Sequence, residues 1–545
     1  MKALFPVSAF SLVLGLPALA ASEWTSLFNG KDLSGWTITI KDAAPGEDPD
    51  KLVQVRDGAI HMYADTDPER KVPFGVITHE KTFSRFHLAL EYRWRDKKFA
   101  PRKDAIRDAG LLYHASRTDT IWPPSVEYQI QEGDSGDIIF IQESGLSWMH
   151  PNPELAPKGQ GDAALLPEDG GYPRIAQNQT YFGRFPEYDH LTGWNRAEVI
   201  VQADESAEHI LNGHVRSRLS NIRHLTGGPL KEGKICLQLE GAEIEYRDIQ
   251  IRELDEPLWV DRTVASLSAV ADKPARGQTL VVSNPLDHPL PADLSIIGAD
   301  AAAFTARAGK MVLAPGEKME VNLNFRPTRG AGRYSAGLRI GTPESGTFVT
   351  LQGIGLAAFE GKNEPALQSV VHALGIPLDV GGTKLELDTN ADAIGAGAAA
   401  TGFTAVAGKK VKITPVARFS PPGVTPFGVS VQGQADFEAG ELADSSKVAD
   451  AHQCLFPPMQ AGASFVEITP ADASFKFWMK GPKYRSTTGS EPVEGATIKH
   501  TARIYPVSDF QGRVMENAWL VGFEEAANGD YQDAVFLLEN VKPAP

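Results

Sequence analysis

Ser125-Val126-Glu127-Tyr128-Gln129-Ile130-Gln131-Glu132-Gly133-Asp134 reads as a β-strand running into a turn. Side chains alternate between the two faces of a strand, so Val126, Tyr128 and Ile130 make an apolar row suited to a core. Glu127, Gln129 and Gln131 then make a row of carboxylate and amide groups on the other face. A polar row on a concave sheet face is how a β-sandwich meets a glycan, which makes carbohydrate the first substrate class to weigh.

The strand signal repeats outward from this stretch. Short alternations such as Phe86 to Trp94 and Ile244 to Ile249 are bounded by Gly, Asp, Asn and Pro, and helical periodicity is confined to Pro365 to Leu374. The expected fold class is all-β, built from sandwiches. A chain of 545 residues exceeds a single core, and the composition shifts suggest where it divides. Residues 22–255 form a first unit, 256–358 a second, 359–402 a linker with a short helix, and 403–545 a third β-rich unit. In the second, the strands near Thr279, Val312 and Val321 follow at the spacing of an immunoglobulin-like sandwich, and the pattern resembles bacterial anchoring domains related to the spindle-protein and hydin modules.

Residues 1–21 have the make-up of a secretory signal peptide: Lys2, an apolar run from Ala3 to Leu19, and small residues for cleavage near Ala20 or Ala21. A secreted or periplasmic bacterial protein without membrane insertion is the expectation. The net charge of -16 argues against nucleic acid as a partner, since that needs a basic footprint. Cys236 and Cys454 are the only cysteines, too few for a disulfide framework, and read as two half-buried thiols. The sequence carries no signal for oligomeric state.

The first unit has an ordered set of motifs: Leu27-Phe28-Asn29-Gly30-Lys31-Asp32-Leu33-Ser34-Gly35-Trp36, Arg56-Asp57-Gly58, Ala109-Gly110-Leu111-Leu112-Tyr113-His114, the Glu127 strand, Gly193-Trp194-Asn195-Arg196, Leu211-Asn212-Gly213-His214 and Gly233 to Gly241. Together they resemble the 3-keto-disaccharide hydrolase family, whose fold is similar to concanavalin-like lectins and glucanases. The resemblance implies a jelly-roll sandwich and an exported hydrolase acting on 3-keto-glycosides. Two departures stand out: Asp108-Ala109-Gly110 where many members have Asn-Ser-Gly, and Ile130-Gln131-Glu132 where many have Ile-Leu-Asp.

Laminarinase-like relatives of that fold carry Glu-x-Asp-x-Glu on one strand, giving nucleophile and acid for a retaining cleavage. Here the row is Glu127-x-Gln129-x-Gln131, and two amides can serve as neither. A 3-keto sugar removes the difficulty, because its carbonyl makes the C2 proton acidic. One base takes that proton, the C1 substituent leaves, and water adds to the unsaturated intermediate. Glu127, His114 and Glu132 are the catalytic candidates, with Gln129, Gln131, Asp134, Arg93 and Asn195 lining the substrate. The reaction admits a divalent metal ion as Lewis acid, with His114, Glu127 and Glu132 as candidate ligands, and calls for no organic cofactor. The insertion from Ser144 to Gln179 is expected to form loops over this site.

Blander readings stand beside these. Asn29-Gly30 and Asn212-Gly213 are hairpin turns, Trp36 and Trp194 core aromatics, Asn195 a backbone cap at a turn, and Arg93 a member of an ion-pair network. Near the C-terminus Glu524, Asp530 and Asp533 stand on an acidic turn that could hold calcium or simply be solvated hairpin. A non-catalytic, lectin-like glycan binder and a cell-surface scaffold are the alternative functions.

Overall fold

The computed structural model describes residues 23–544 except 118, 152–161, 179–180, 185–187, 272, 274, 383–385 and 471–473. The signal peptide expected over residues 1–21 lies outside the described residues. Among the described residues the elements are nearly all strands, and the α-helix Leu367–Ala373 falls where the helical periodicity stands. The chain is all-β, as its alternating patterns require.

From Thr25 to Glu253 the strands join into one sheet folded over a single large core. The front layer runs Trp36–Ile40, Gly75–Phe83, Gly233–Leu239, Asp108–Ala115, Ser125–Gln131 and Ile138–Ile141, each antiparallel to the next. The back layer includes Ala59–Met62, Ala242–Glu253, Arg85–Lys98, Asn195–Gln202, Ser206–Leu211 and His214–His224. Val126, Tyr128 and Ile130 from the front meet the core that Leu88, Leu90, Tyr92, Val199 and Ile244 supply from the back. Burial of each such side chain is worth about 1.5–3 kcal/mol. A slip of one residue would turn Glu127 and Gln129 into this core, so the apolar row fixes the register of the Glu127 strand.

The segment expected to form loops over the site does something else. Among its described residues, Glu143–Met149 pairs with Tyr172–Gln177, and the short 3-10 turn Pro167–Asp169 packs on the following sandwich. The Glu168 carbonyl accepts from Ala299 N, and the Arg333 guanidinium donates to Gly170 O at 2.7 Å.

Between Trp259 and Leu356 two four-stranded sheets enclose their own core. The strand Lys318–Phe325 shows why: Met319, Val321, Leu323 and Phe325 are buried and the residues between them exposed, one alternation per residue. The remaining strands, from Gly402 to Ala544, form two six-stranded sheets around a third core. The segment between these two parts does not hang free. Leu367, Val370, Val371, Leu374, Ile376 and Val380 are buried together with Ile354 and Leu356 on one side and Val416 and Tyr505 on the other. Both cysteines are free and fully buried, not half-buried as their sequence context suggested.

Candidate functional site

The register of the front layer assembles a polar face from three strands. Across the first pair Gln131 stands opposite Asp108, Gln129 opposite Gly110 and Glu127 opposite Leu112. On the far side Cys236 is opposite Leu112 and Leu237 opposite Leu111, which brings Gln238 beside Gly110 and Glu240 beside Asp108. Glu127, Gln129, Gln131, Asp108, Gln238 and Glu240 therefore share the face turned away from the core, and all six are buried.

Gly110 is the centre of this arrangement. A Cβ there would lie 2.2 Å from Glu127 Oε1 and 1.9 Å from Gln238 Oε1, so the missing side chain is what lets these two groups meet above the sheet. Arg102, from the preceding turn, closes one edge: it pairs with Asp108 and, at 3.3 Å, with Glu240. Two carboxyl groups thus share a single guanidinium, whose charge also reaches Glu127. Burial pushes the Glu127 carboxyl well above its usual range and the Asp108 charge pushes it further, while Gln238 and Arg102 offset only part of this. Glu240 is raised in the same direction by burial, by the Asp108 and Glu127 charges and by its contact with Asp108. Carboxyl groups raised by burial and by one another hold protons to higher pH than free ones, so one member can accept a proton while a neighbour donates one.

Three buried acceptors on this face, Asp108 Oδ1, Gln129 Oε1 and Gln238 Oε1, find no hydrogen-bond partner within the chain. Buried polar atoms are rarely left so, and sugar hydroxyls are donors of the required kind. Beside the polar half lies an apolar one: Val76, Leu112, Ala115, Ile141 and Cys236 cluster with Trp122, whose ring stands edge-on to Phe74 at 6.2 Å.

The other residues singled out in the sequence lie elsewhere. Alternation from Gly110 and Leu112 would bring His114 onto the polar face. Instead Tyr113 and His114 together oppose Ile235 in a β-bulge, and His114 adopts a φ of 55°. Its ring stays on the core side against Phe86 and Tyr113, with Nε2 bonded to Ala203 O at 3.1 Å, and burial lowers its pKa to about 4. Glu132 sits at the strand end, paired with Arg107 at 3.0 Å, which holds its carboxyl below the usual range. His114, Glu127 and Glu132 therefore do not converge, and no metal set forms from them. Asp134 is buried in the turn that ends the strand, its N–H donating to Gln131 O.

Arg93 belongs to the back layer, on the outer side of the sandwich, where it pairs with Glu245 and lies 4.5 Å from the centre of the Trp194 ring. Asn195 holds a turn: its Oδ1 accepts from His190 N at 2.6 Å and from Asn212 Nδ2, and its own amide donates to His190 O. Trp36 is core, donating through Nε1 to Leu27 O. Sequence reasoning missed Asp108, Gln238, Glu240, Arg102 and Trp122. The alternation of Cys236, Gln238 and Glu240 along their strand was a usable signal, whereas Arg102 and Trp122 stand in connections that no periodicity reads.

Residues 23–252 match the model of the 3-keto-alpha-glucoside-1,2-lyase-like domain. No curated protein sequence matches the chain. Solved structures similar to it include a protein of unknown function with a galectin-like fold from Bacillus subtilis (14% identity, 43% of this chain and 96% of that one, TM-score 0.25). A carbohydrate-binding module from Bacillus subtilis has 8% identity over 43% of this chain and 98% of its own, with a TM-score of 0.21. Porphyranase B from Zobellia galactanivorans has 10% identity over 44% of this chain and 94% of its own, with a TM-score of 0.22.

Proposed function

We propose that residues 23–252 bind a 3-keto-glycoside on the face around Gly110 and cleave its glycosidic bond by elimination followed by hydration. The likeness of this part of the chain to the 3-keto-alpha-glucoside-1,2-lyase-like domain supports a carbohydrate-related function. The observation that carries the reading is the buried Glu127 carboxyl, raised in basicity beside two further carboxyl groups and facing acceptors that the chain leaves unsatisfied. A carboxylate of raised pKa is a stronger base, and the C2 proton next to a ketone is acidic enough for it.

In this mechanism ionised Glu127 takes the C2 proton, the electron pair forms the C1–C2 double bond, and the C1–O bond breaks. The leaving oxygen receives a proton from the neighbouring carboxyl pair, Glu240 and Asp108. The amides of Gln129, Gln131 and Gln238 orient the hydroxyls and the C3 oxygen. Water then adds at C1 and a proton returns to C2, which restores the acid–base pair and gives net hydrolysis. Trp122 offers a ring face for the apolar side of the sugar. The amide row with Trp122 also suits a second reading, in which the face binds glycan without turnover. Purified protein incubated with a 3-keto-glucoside separates the two. Cleavage that falls about 100- to 10,000-fold in Glu127→Gln supports the enzyme; binding without release of 3-keto-glucose by the unaltered chain supports the binder.

A further inference from the structure

The turn between the strands Arg513–Phe523 and Ala534–Glu539 gathers Glu524, Asp530 and Asp533, one ligand oxygen of each lying within 4.8 Å of the others. All three are buried, as is their neighbour Glu525. Glu524 shapes the turn: its Oε1 accepts from Ala526 and Ala527 N–H, and its Oε2 from Gly529 and Asp530 N–H, at 2.7–3.0 Å. Asp533 Oδ2 in turn accepts from Glu525 N. Such a turn would be ordinary hairpin chemistry were it exposed, but it is not.

Among the described residues no lysine, arginine or histidine forms an ion pair with Glu524, Glu525, Asp530 or Asp533. Arg418 is nearby, yet its guanidinium donates to Ser420 Oγ and to the carbonyls of Ala443, Pro421 and Gly423. Uncompensated buried carboxylates are strongly disfavoured. Independent of the acidic groups, other buried side chains reach toward the same point without a partner. Gln532 is fully buried beside the Asp530 carboxyl, and its Oε1 finds no hydrogen-bond donor. The Tyr484 hydroxyl, on a residue 7% exposed, faces Glu524, Asp533 and Glu525 and is also unpaired. Asp530 Oδ1 and Glu525 Oε1 complete the set of unpartnered oxygens.

We propose that this turn is a calcium site, with Asp530, Asp533 and Glu524 as carboxylate ligands and Gln532 Oε1 adding to the oxygen shell. The donors are all hard oxygens with no imidazole or thiolate, which disfavours zinc and copper. Oxygen atoms within 4.8 Å of one another fit on a sphere of ligands at about 2.4 Å, the calcium distance, and a shell made of protein oxygens suits calcium better than magnesium, which keeps several waters. The ion ties the C-terminal hairpin to the Tyr484 segment and acts as a clamp on the third sandwich.

The full chain, stripped with chelator and dialysed, tests this with calcium alone. Its melting temperature rises by about 5–10 °C once free calcium exceeds the Kd about 100-fold, and terbium in its place shows emission sensitised through Tyr484. Asp530→Asn abolishes both responses while far-ultraviolet circular dichroism stays unchanged, and its calcium-free form melts no lower than the unaltered protein because a like charge has gone. Calorimetry on the unaltered chain stands by itself if that variant does not fold. No heat of calcium binding, or an Asp530→Asn protein that still responds to calcium, overturns the site.

Discussion

Gly110 and Glu127 show how one missing methyl organises a face. The Cβ of Gly110→Ala would meet the far ends of two side chains, Glu127 Oε1 and Gln238 Oε1, which can swing aside at small cost. We therefore expect that variant to melt within a few degrees of the unaltered protein and to lose at least about 10-fold in kcat/KM with a 3-keto-glucoside, because displaced groups misplace the base. Thermal melting and steady-state kinetics on the same preparation check both halves. A second residue-scale expectation concerns acid stability. Burial lowers His114 and His209 to about 4 from an unfolded value near 6.5. The unfolded chain binds more protons between these values, so the stability these residues carry is whole above about pH 6.5 and is lost as pH falls through about 4. Nuclear magnetic resonance should show both imidazole signals flat from pH 8 down to pH 5.5.

At the scale of elements, the bulge in Asp108–Ala115 decides which side chains the face receives. It keeps His114 in the core and returns Ala115 to the outer side, and it fits only because Gly233 lies against it. A Cβ at Gly233 would come within 2.2 Å of the His114 backbone carbonyl carbon and 2.4 Å of its Cα. Backbone cannot swing away as a side-chain end can, so Gly233→Ala should cost about 3 kcal/mol, read by denaturant unfolding, where Gly110→Ala costs little. The contrast bears on what a sequence makes legible. The Glu127 strand was readable because alternation places its apolar row in a core and its polar row opposite, and the structure keeps both. The partner strand was half readable: Gln238 and Glu240 alternate with Leu237 and Leu239, but the pairing that sets them beside Gly110 is a long-range register. His114 was unreadable, since one extra residue in a bulge reverses the parity of everything after it. Asn195 and Arg93 belong to the back layer, and placement by strand alone gives no hint of which layer a strand joins.

Across the whole molecule the first and second sandwiches are held by a buried charge network. Arg218 bonds Glu168 at 2.9 Å and Glu208 at 2.5 Å, and Glu208 also receives Arg339 from the second sandwich at 2.6 Å. Burial alone would raise the Glu208 carboxyl, yet the two guanidinium groups carry it below its usual value. Removing the shared acceptor leaves Arg339 without its anion and Arg218 with Glu168 alone. Glu208→Ala should lose about 3–5 kcal/mol and separate the unfolding of the first sandwich from that of the rest in calorimetry. The third sandwich is tied to the first in the same way, with the buried Asp509 carboxylate accepting from Asn221 Nδ2 at 2.6 Å and from Arg223 at 2.8 Å. These joints fix the attitude of the sandwiches, while the polar face around Gly110 lies on the front layer of the first.

The central claim is that Glu127 removes the C2 proton of a 3-keto-glycoside. Its most direct test compares release of 3-keto-glucose from substrates carrying hydrogen or deuterium at C2, with the unaltered chain and with Glu127→Gln. The account predicts slower release from the deuterated substrate with the unaltered protein and near-complete loss of release in the variant. Release that is indifferent to deuterium and proceeds at the same rate without the Glu127 carboxylate would contradict it.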